Sequence, residues 1–161
     1  MLLPNTPGAK QPLRSPQMFF VTLKTSQGKA LLQSERMANL FIDVLRSFVG
    51  DGRFKVNEFV IMRNFVQLLL TVYGEHTIEQ ILRHIKARSA FRVRAEFEIR
   101  GWIWEFESRT TRVTDRAGYL KHKTAIEEQP IKAGMAESAE NYPYCSAYLR
   151  KQKAKAKTAG S

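Results

Sequence analysis

Hydrophobic residues follow two different spacings along the chain, and the order of these spacings predicts the secondary structure. Stretches rich in β-branched and aromatic side chains are typical of strands, and apolar residues three and four positions apart are typical of amphipathic helices. The predicted strands are residues 18–25, 54–62, 65–73 and 101–106, and the predicted helices begin near residues 35, 77 and 115. This order predicts an α+β fold, a ferredoxin-like β-α-β-β-α-β antiparallel sheet with helices on one face plus a C-terminal helix.

Local signals mark where the predicted elements begin and end. Ser34 is a typical helix N-cap residue, and Gly50 is expected to end the helix that follows. Residues 63–64 lie between two strand-like stretches and indicate a tight hairpin, because asparagine tolerates a positive φ. The third helix is expected to run to about Glu128, since Pro130 lies just beyond that point.

Composition divides the chain into three parts. Residues 1–16 contain four prolines among polar residues and are expected to form a flexible N-terminal arm. Residues 17–148 are expected to form the folded domain. Residues 149–161 carry one arginine and four lysines among alanine and glutamine, which predicts a disordered basic tail that holds phosphates loosely.

Charge favours a polyanionic partner. The 161 residues include 26 Lys and Arg against 15 Asp and Glu, which gives a formal net charge of +11. Such a balance suits nucleic acid first and an anionic membrane surface second. The single cysteine, Cys145, excludes an internal disulfide. No stretch is long and apolar enough to span a bilayer, and prolines interrupt the N-terminal segment where a signal peptide would lie. We therefore expect a cytoplasmic protein with no membrane partner.

Separated motifs, in a fixed order, resemble those of a known family. They are FFVTLKTSQG at 19–28, QSERMANLF at 33–41, MRNFVQLL at 62–69, PIKAG at 130–134 and YPYCSA at 142–147. In this order and spacing they resemble the REP-associated tyrosine transposases, members of the HUH superfamily of single-strand DNA transposases. The resemblance extends over about residues 18–148.

The resemblance implies a site whose chemical groups have been replaced. In the family, a His-x-His pair on a strand binds Mg²⁺ or Mn²⁺, a helical tyrosine attacks the phosphate, and a further ligand lies one helical turn later. The two histidine positions hold Phe65 and Gln67, the tyrosine position holds Ala125, and the further ligand position holds Gln129. Residues 108–110, Ser-Arg-Thr, stand where the family has Phe-His-Asp. Because a neutral amide is a weak ligand, we expect no catalytic residue, no metal and no cofactor.

Tyr119 and His122 are the residues that a displaced catalytic site would use. Six residues separate Tyr119 from Ala125, a rotation of about 600° that leaves Tyr119 about 120° away from the face expected to meet the metal. We interpret Tyr119 as packing against the sheet. His122 has no partner histidine at a ligand spacing, which is typical of surface histidines. Phe65 is interpreted as a core or groove aromatic, and stacking on a DNA base is the alternative.

Basic residues supply candidate DNA contacts. Family members recognise imperfect palindromes, so the resemblance implies a DNA hairpin with a single-stranded flank as the partner. Trp102 and Trp104 are expected to share one strand face and to be buried. The candidate DNA-binding residues are Arg83, Lys86, Arg88, Arg92, Arg94, Arg109, Arg112, Lys151 and Lys153. Related proteins occur as monomers and as homodimers, and the sequence does not decide between the two states.

Three hypotheses on function follow. The first is a catalytically inactive, transposase-like protein that binds hairpin or single-stranded DNA, with RNA binding as a variant. The second is an active transposase or nickase that uses displaced residues. The third is a ferredoxin-like scaffold that binds no DNA and whose charge is a solvated surface.

Overall fold

The computed structural model describes residues 15–160 and contains one four-stranded sheet flanked by four α-helices. Residues 1–14 of the predicted N-terminal arm, and residue 161, lie outside the described residues. The strands are β1 (Gln17–Lys24), β2 (Phe54–Ile61), β3 (Phe65–Val72) and β4 (Arg109–Val113). The helices are α1 (Glu35–Arg46), α2 (Ile78–Phe97), α3 (Arg116–Lys132) and α4 (Ser146–Ala159).

The sheet has the strand order β2-β3-β1-β4, and its three neighbouring pairs are antiparallel. This order, together with the connections through α1 and α2, confirms the predicted ferredoxin-like fold. Ser34 caps α1 as predicted, because its Oγ accepts a hydrogen bond from the Met37 amide. Between residues 15 and 160, no helix combines the length and the apolar character needed to cross a membrane.

One face of the sheet is covered by α1 and α2. Alternation along each strand turns Val21 of β1 and Leu68 of β3 toward this face. Phe41 of α1 and Ile81 of α2 pack in the same buried cluster. The larger of the two hydrophobic cores therefore lies between the sheet and the two helices that the sequence predicts for that face.

The opposite face is covered by α3, by the segment that follows α3 and by the start of α4. Leu69 of β3, Val113 of β4 and Ile126 of α3 form the centre of this second, smaller core. Tyr142 closes one side of this core, where its hydroxyl donates a 2.6 Å hydrogen bond to the Ile61 carbonyl. α3 and the start of α4 thus lie on the side of the sheet that α1 and α2 leave open, whereas Leu149 of α4 packs against the first core.

The prediction of the fourth strand at residues 101–106 was wrong, because β4 comprises Arg109–Val113. Residues 101–106 contribute a single isolated bridge, between Trp104 and Thr25. Within this segment Ile103 and Trp104 are both buried, which breaks the alternation of a strand. β4 lies at the edge of the sheet, where a strand tolerates exposed polar side chains. Because four of its five residues are exposed, β4 lacks the apolar pattern by which the other strands were predicted.

Two further boundaries differ from the predictions. α3 continues through Pro130 to Lys132, since a proline in the last turn removes only one helical hydrogen bond. The predicted disordered tail is helical as far as Ala159. Alanine, lysine and glutamine are strong helix formers, and Arg150 in the first turns of α4 is bound to a carboxylate of β2.

Candidate functional site

The two positions that the resemblance assigns to metal-binding histidines lie side by side on the α3 face of β3. Phe65 and Gln67 are two residues apart, so their side chains project to the same face, and both are half-buried. In the register of the sheet, Gln67 is paired with Thr22 of β1 and with Val60 of β2. β3 therefore presents these two side chains toward α3 from the interior of the sheet.

Gln129 of α3 meets Gln67 directly. The Gln129 Nε2 donates a 3.1 Å hydrogen bond to Gln67 Oε1, and Gln67 Nε2 donates a longer one, 3.5 Å, to the Thr22 hydroxyl. Ala125 lies one helical turn before Gln129 on the same face of α3. Residues 62 positions apart in the sequence, which were assigned to one site from separate motifs, are thus in contact in the structure.

Tyr119 is held away from this amide pair. Its hydroxyl donates to Glu58 Oε2 of β2 at 3.2 Å. Burial, and then the nearby Glu58 carboxylate, raise the pKa of Tyr119, which disfavours the phenolate. The structure places Tyr119 against β2, which agrees with its interpretation as a packing residue.

His122 lies on the same helix but stacks on a ring instead of facing a second ligand. Its imidazole is nearly parallel to the Phe20 ring of β1, with 4.3 Å between centroids and 16° between planes. Burial lowers the pKa of His122, and the charge of Lys121 lowers it further. His76 and His84 are exposed and lie far along the chain from this face.

Arg109 brings a positive charge to the face that carries the amide pair. It is paired with Thr22 across β1–β4, and Thr22 is paired with Gln67 across β1–β3. Residues paired in register share a face, so Arg109 and Gln67 project to the same side about 10 Å apart, two strand spacings. The neighbouring Arg112 projects to the other face, where its guanidinium lies 5.8 Å from the centre of the Phe19 ring.

A sequence profile of the IS200-like transposases matches residues 18–126. The chain belongs to this family. The matched segment includes the positions of Phe65, Gln67 and Ala125.

Solved structures of transposases share the fold. A REP-associated tyrosine transposase bound to a REP hairpin is similar with a TM-score of 0.66 and 17% identity, over 89% of this chain and 84% of that one. A candidate transposase from Deinococcus radiodurans R1 is similar with a TM-score of 0.55 and 17% identity, over 76% of this chain and 95% of that one. No curated protein is significantly similar in sequence.

The residues at the family's metal position do not fit a divalent cation. The oxygen atoms hydrogen-bonded at Gln67 belong to two carboxamides and the Thr22 hydroxyl, all uncharged, whereas Mg²⁺ and Mn²⁺ are held chiefly by carboxylates or imidazoles in proteins. The carboxylate of Glu58, on the same face of β2, is already paired with Arg150. Phe65 offers no donor atom. Within residues 15–160, His, Cys, Asp and Glu nowhere form a group of three that could bind a metal ion.

The nine candidate DNA-binding residues do not form one surface. Arg83, Lys86 and Arg94 line a groove between α2 and the segment that precedes β4. Arg109 and Arg112 lie on the edge strand β4. The structure therefore separates these five basic residues into two neighbouring places.

The other four candidates are paired or remote. Arg88 lies over the Phe48 ring at 4.0 Å, and Arg92 forms ion pairs with Asp43 and Glu96. Both residues thus face α1. Lys151 lies 4.0 Å from the Glu140 carboxylate and Lys153 is exposed on α4. These positions make Arg83, Arg94 and Arg109 better candidates for phosphate contacts than Arg88 and Arg92.

Sequence reasoning missed a buried carboxylate, Glu58 of β2, and misplaced Trp102. Glu58 is 3% exposed and accepts hydrogen bonds from Tyr119, Ser146 and both terminal nitrogens of Arg150. The available signal was a glutamate inside an apolar strand-like stretch. Trp104 is buried as expected, but Trp102 is 76% exposed, because residues 101–106 do not form the predicted strand.

Proposed function

We propose that this member of the IS200-like transposase family binds hairpin DNA with a single-stranded flank and does not cleave it. The observation that carries the proposal is the 3.1 Å hydrogen bond between Gln129 and Gln67. This bond joins two positions at which the family resemblance implies metal ligands. The side-chain amides at both positions are hydrogen-bonded to each other. Ala125, one turn away, supplies no nucleophile in place of the family's tyrosine.

The chemical reasoning concerns charge. Transfer of a phosphoryl group needs a positive charge or aligned donors to stabilise charge that develops on the phosphate oxygens. A pair of neutral carboxamides supplies neither a bound cation nor an activated nucleophile. We therefore propose Phe65, Gln67, Ala125 and Gln129 as the positions at which the reaction was lost.

Binding to DNA rests on features that survive this loss. The net charge of +11 favours a polyanion, and the similar structure with the higher TM-score is a transposase bound to a REP hairpin. We propose that Arg83, Lys86 and Arg94 contribute to the phosphate-binding surface, together with Arg109 and Arg112. If about six phosphates are neutralised on single-stranded DNA, the log–log salt dependence of binding should have a slope near −4.

The first test measures cleavage and binding on one substrate. The wild-type chain is incubated with a flanked hairpin and Mg²⁺ or Mn²⁺, and covalent protein–DNA adducts are separated on a denaturing gel. A metal-dependent adduct from the wild type would refute the loss of catalysis and support displaced catalytic residues. Absence of hairpin binding at low ionic strength would instead favour a scaffold without a DNA role. A matched RNA hairpin, used as a competitor, tests whether binding is selective for DNA.

The second test restores the missing groups. Phe65→His, Gln67→His, Ala125→Tyr and Gln129→Glu are combined in one protein, and the matched control carries Ala125→Phe in place of Ala125→Tyr. We expect a metal-dependent adduct from the first protein and none from the control. An adduct from both proteins would show that the tyrosine position has been misassigned.

A further inference from the structure

A groove of about 1350 Å³ lies between α2 and the irregular segment before β4. Its floor is formed by small residues of α2, among them Ala87 and Ala90, and its opposite wall by residues 102–106. Pockets for small ligands are typically about 300–1,000 Å³. The groove is therefore large enough for a segment of a polymer.

Three large aromatic side chains at this groove are exposed to solvent. Phe91 is 73% exposed, Trp102 is 76% exposed and Phe106 is 94% exposed, and all three line the groove. Single exposed apolar residues are common, but a contiguous exposed group on one surface usually marks an interaction site. The clustering of these rings thus indicates that a partner covers them.

The backbone that carries two of these rings is fixed by α2. The ammonium group of Lys86 donates to the carbonyls of Glu105 and Phe106 at 2.9 and 3.1 Å. Arg94 donates to the Gly101 carbonyl at 3.0 Å. The wall is therefore positioned before any partner binds, which reduces the entropy lost on association.

Trp104 anchors the same wall from inside. Its indole nitrogen donates a 2.9 Å hydrogen bond to the buried Ser89 hydroxyl of α2. The adjacent Ile103 is also buried. With the segment held at both residues, the side chain of Trp102 is left on the solvent side of the groove.

The charge of the groove favours a polyanion. Its lining includes three basic residues, Arg83, Lys86 and Arg94, and two acidic residues, Glu79 and Glu105. The Glu105 carboxylate accepts a hydrogen bond from the backbone N–H of Gln27, a residue that does not line the groove. The groove thus combines exposed rings with an excess of positive charge, the combination that proteins use to hold unpaired nucleotides.

We propose that this groove binds the single-stranded flank of the DNA, with bases stacked on Trp102 and Phe106 and phosphates directed toward Arg83 and Arg94. The proposal rests on the function proposed above and assigns a place to the unpaired nucleotides. A base inside a duplex is stacked on both faces and cannot stack on these side chains without leaving the duplex, so the groove favours unpaired over paired DNA. Thr110 of β4 also lines the groove. A single-stranded flank that leaves the groove beside Thr110 would reach the edge of the sheet, where β4 lies.

The test compares three labelled probes by fluorescence anisotropy at one salt concentration. They are a hairpin with a single-stranded flank, the same hairpin with a blunt end, and the flank alone. The variants are Trp102→Ala and Phe106→Ala, and the matched control is Val49→Ala, which removes an 82% exposed apolar side chain outside the groove. Circular dichroism checks that each variant is folded.

Each aromatic variant is expected to bind the flanked hairpin at least about fivefold more weakly, since base stacking on one ring is worth about that factor or more. Affinity for the blunt hairpin should be unchanged, and Val49→Ala should behave as the wild type with every probe. Addition of the flank alone should quench tryptophan emission in the wild type and in Val49→Ala, but not in Trp102→Ala, where only the buried Trp104 emits.

Several results would overturn the proposal. If the wild type binds the flanked hairpin and both aromatic variants bind it equally well, DNA binding stands and the groove assignment fails. Equal loss of affinity for blunt and flanked hairpins would also refute it. If the wild type binds none of the probes, the proposed function itself fails. Quenching of Trp102 by an apolar peptide, and not by the oligonucleotide, would assign the groove to a protein partner.

Discussion

Arg150→Met is predicted to destabilise the protein, because Arg150 compensates a buried carboxylate. Glu58 of β2 is 3% exposed, and its carboxylate accepts two hydrogen bonds from the Arg150 guanidinium, at 2.8 and 3.0 Å. The Ser146 hydroxyl donates a third, at 2.8 Å, and Tyr119 donates a fourth, at 3.2 Å. Arg150 also joins α4 to the sheet through this contact.

The expected loss of stability depends on how deeply Arg150 and Glu58 are each buried. Removing one partner of a fully buried ion pair costs about 3–5 kcal/mol. The side chain of Arg150 is 51% exposed, so water can reach part of the vacated space, and the two hydroxyl donors remain. We therefore expect a loss of about 2 kcal/mol in the free energy of unfolding, below the range for a fully buried pair. In a chain of this size that corresponds to a decrease in Tm of roughly 4–8 °C.

The assay is urea unfolding followed by circular dichroism, with a matched surface pair as control. Lys132→Met breaks an exposed contact of 3.2 Å with Glu128, in which the lysine side chain is 72% exposed. Such surface pairs contribute about 0–1 kcal/mol, so this control should unfold nearly as the wild type. Glu58→Gln and the double variant Glu58→Gln/Arg150→Met complete a cycle, and we expect a coupling energy of at least about 1 kcal/mol.

The reasoning would be refuted by an Arg150→Met protein as stable as Lys132→Met. It would also fail if the effects of Glu58→Gln and Arg150→Met were additive, because additivity would mean that the two groups do not stabilise each other. Loss of helical signal without a change in the unfolding midpoint would show that Arg150 orders α4 only locally.

Further predictions concern other buried or constrained groups. Burial raises the pKa of Tyr142 from 10.0 to about 12. The stability that the protonated Tyr142 provides is therefore complete below pH 10 and is lost as the pH rises to about 12. In Tyr142→Phe, the free energy of unfolding should depend less on pH in this range. Ser89→Ala leaves the buried Trp104 nitrogen without its acceptor and should cost about 1–3 kcal/mol in urea unfolding. Gly134 has φ +70°, and a Cβ added there would meet no atom within 4 Å, so Gly134→Ala should lower the unfolding free energy by about 1 kcal/mol through the backbone alone.

Family membership changes how the site positions are understood. The core that supports the sheet is intact, with Val21, Leu68 and Ile126 fully buried, whereas the positions expected to carry chemistry hold Phe65 and Gln67. A fold needs apolar volume, which many sequences supply, but phosphoryl transfer needs particular functional groups. A loss of catalysis of the kind proposed above would therefore leave the fold intact.

The sequence by itself determined the order of helices and strands and the family, and it predicts the positions at which we propose that chemical groups were replaced, Phe65, Gln67, Ala125 and Gln129. Periodic apolar residues specify which faces of α1 and α2 are buried, because a helix and a sheet must both cover their apolar surfaces. Counting back from Pro130 predicts Ala125 and Gln129 at the proposed site of lost catalysis, and the hydrogen bond between Gln129 and Gln67 is consistent with that prediction.

Only the tertiary structure decided where β4 lies, which arginines form ion pairs and which aromatic rings are exposed. Residues 109–113 form a strand because β1 offers an unpaired edge, and the β-branched residues Thr110, Thr111 and Val113 favour a strand locally without specifying where it pairs. Trp102 and Trp104 have the same residue type and similar neighbours, yet one is exposed in a groove and the other is bound to Ser89. Their difference depends on how the 101–106 segment meets α2, a long-range packing contact that local sequence does not encode.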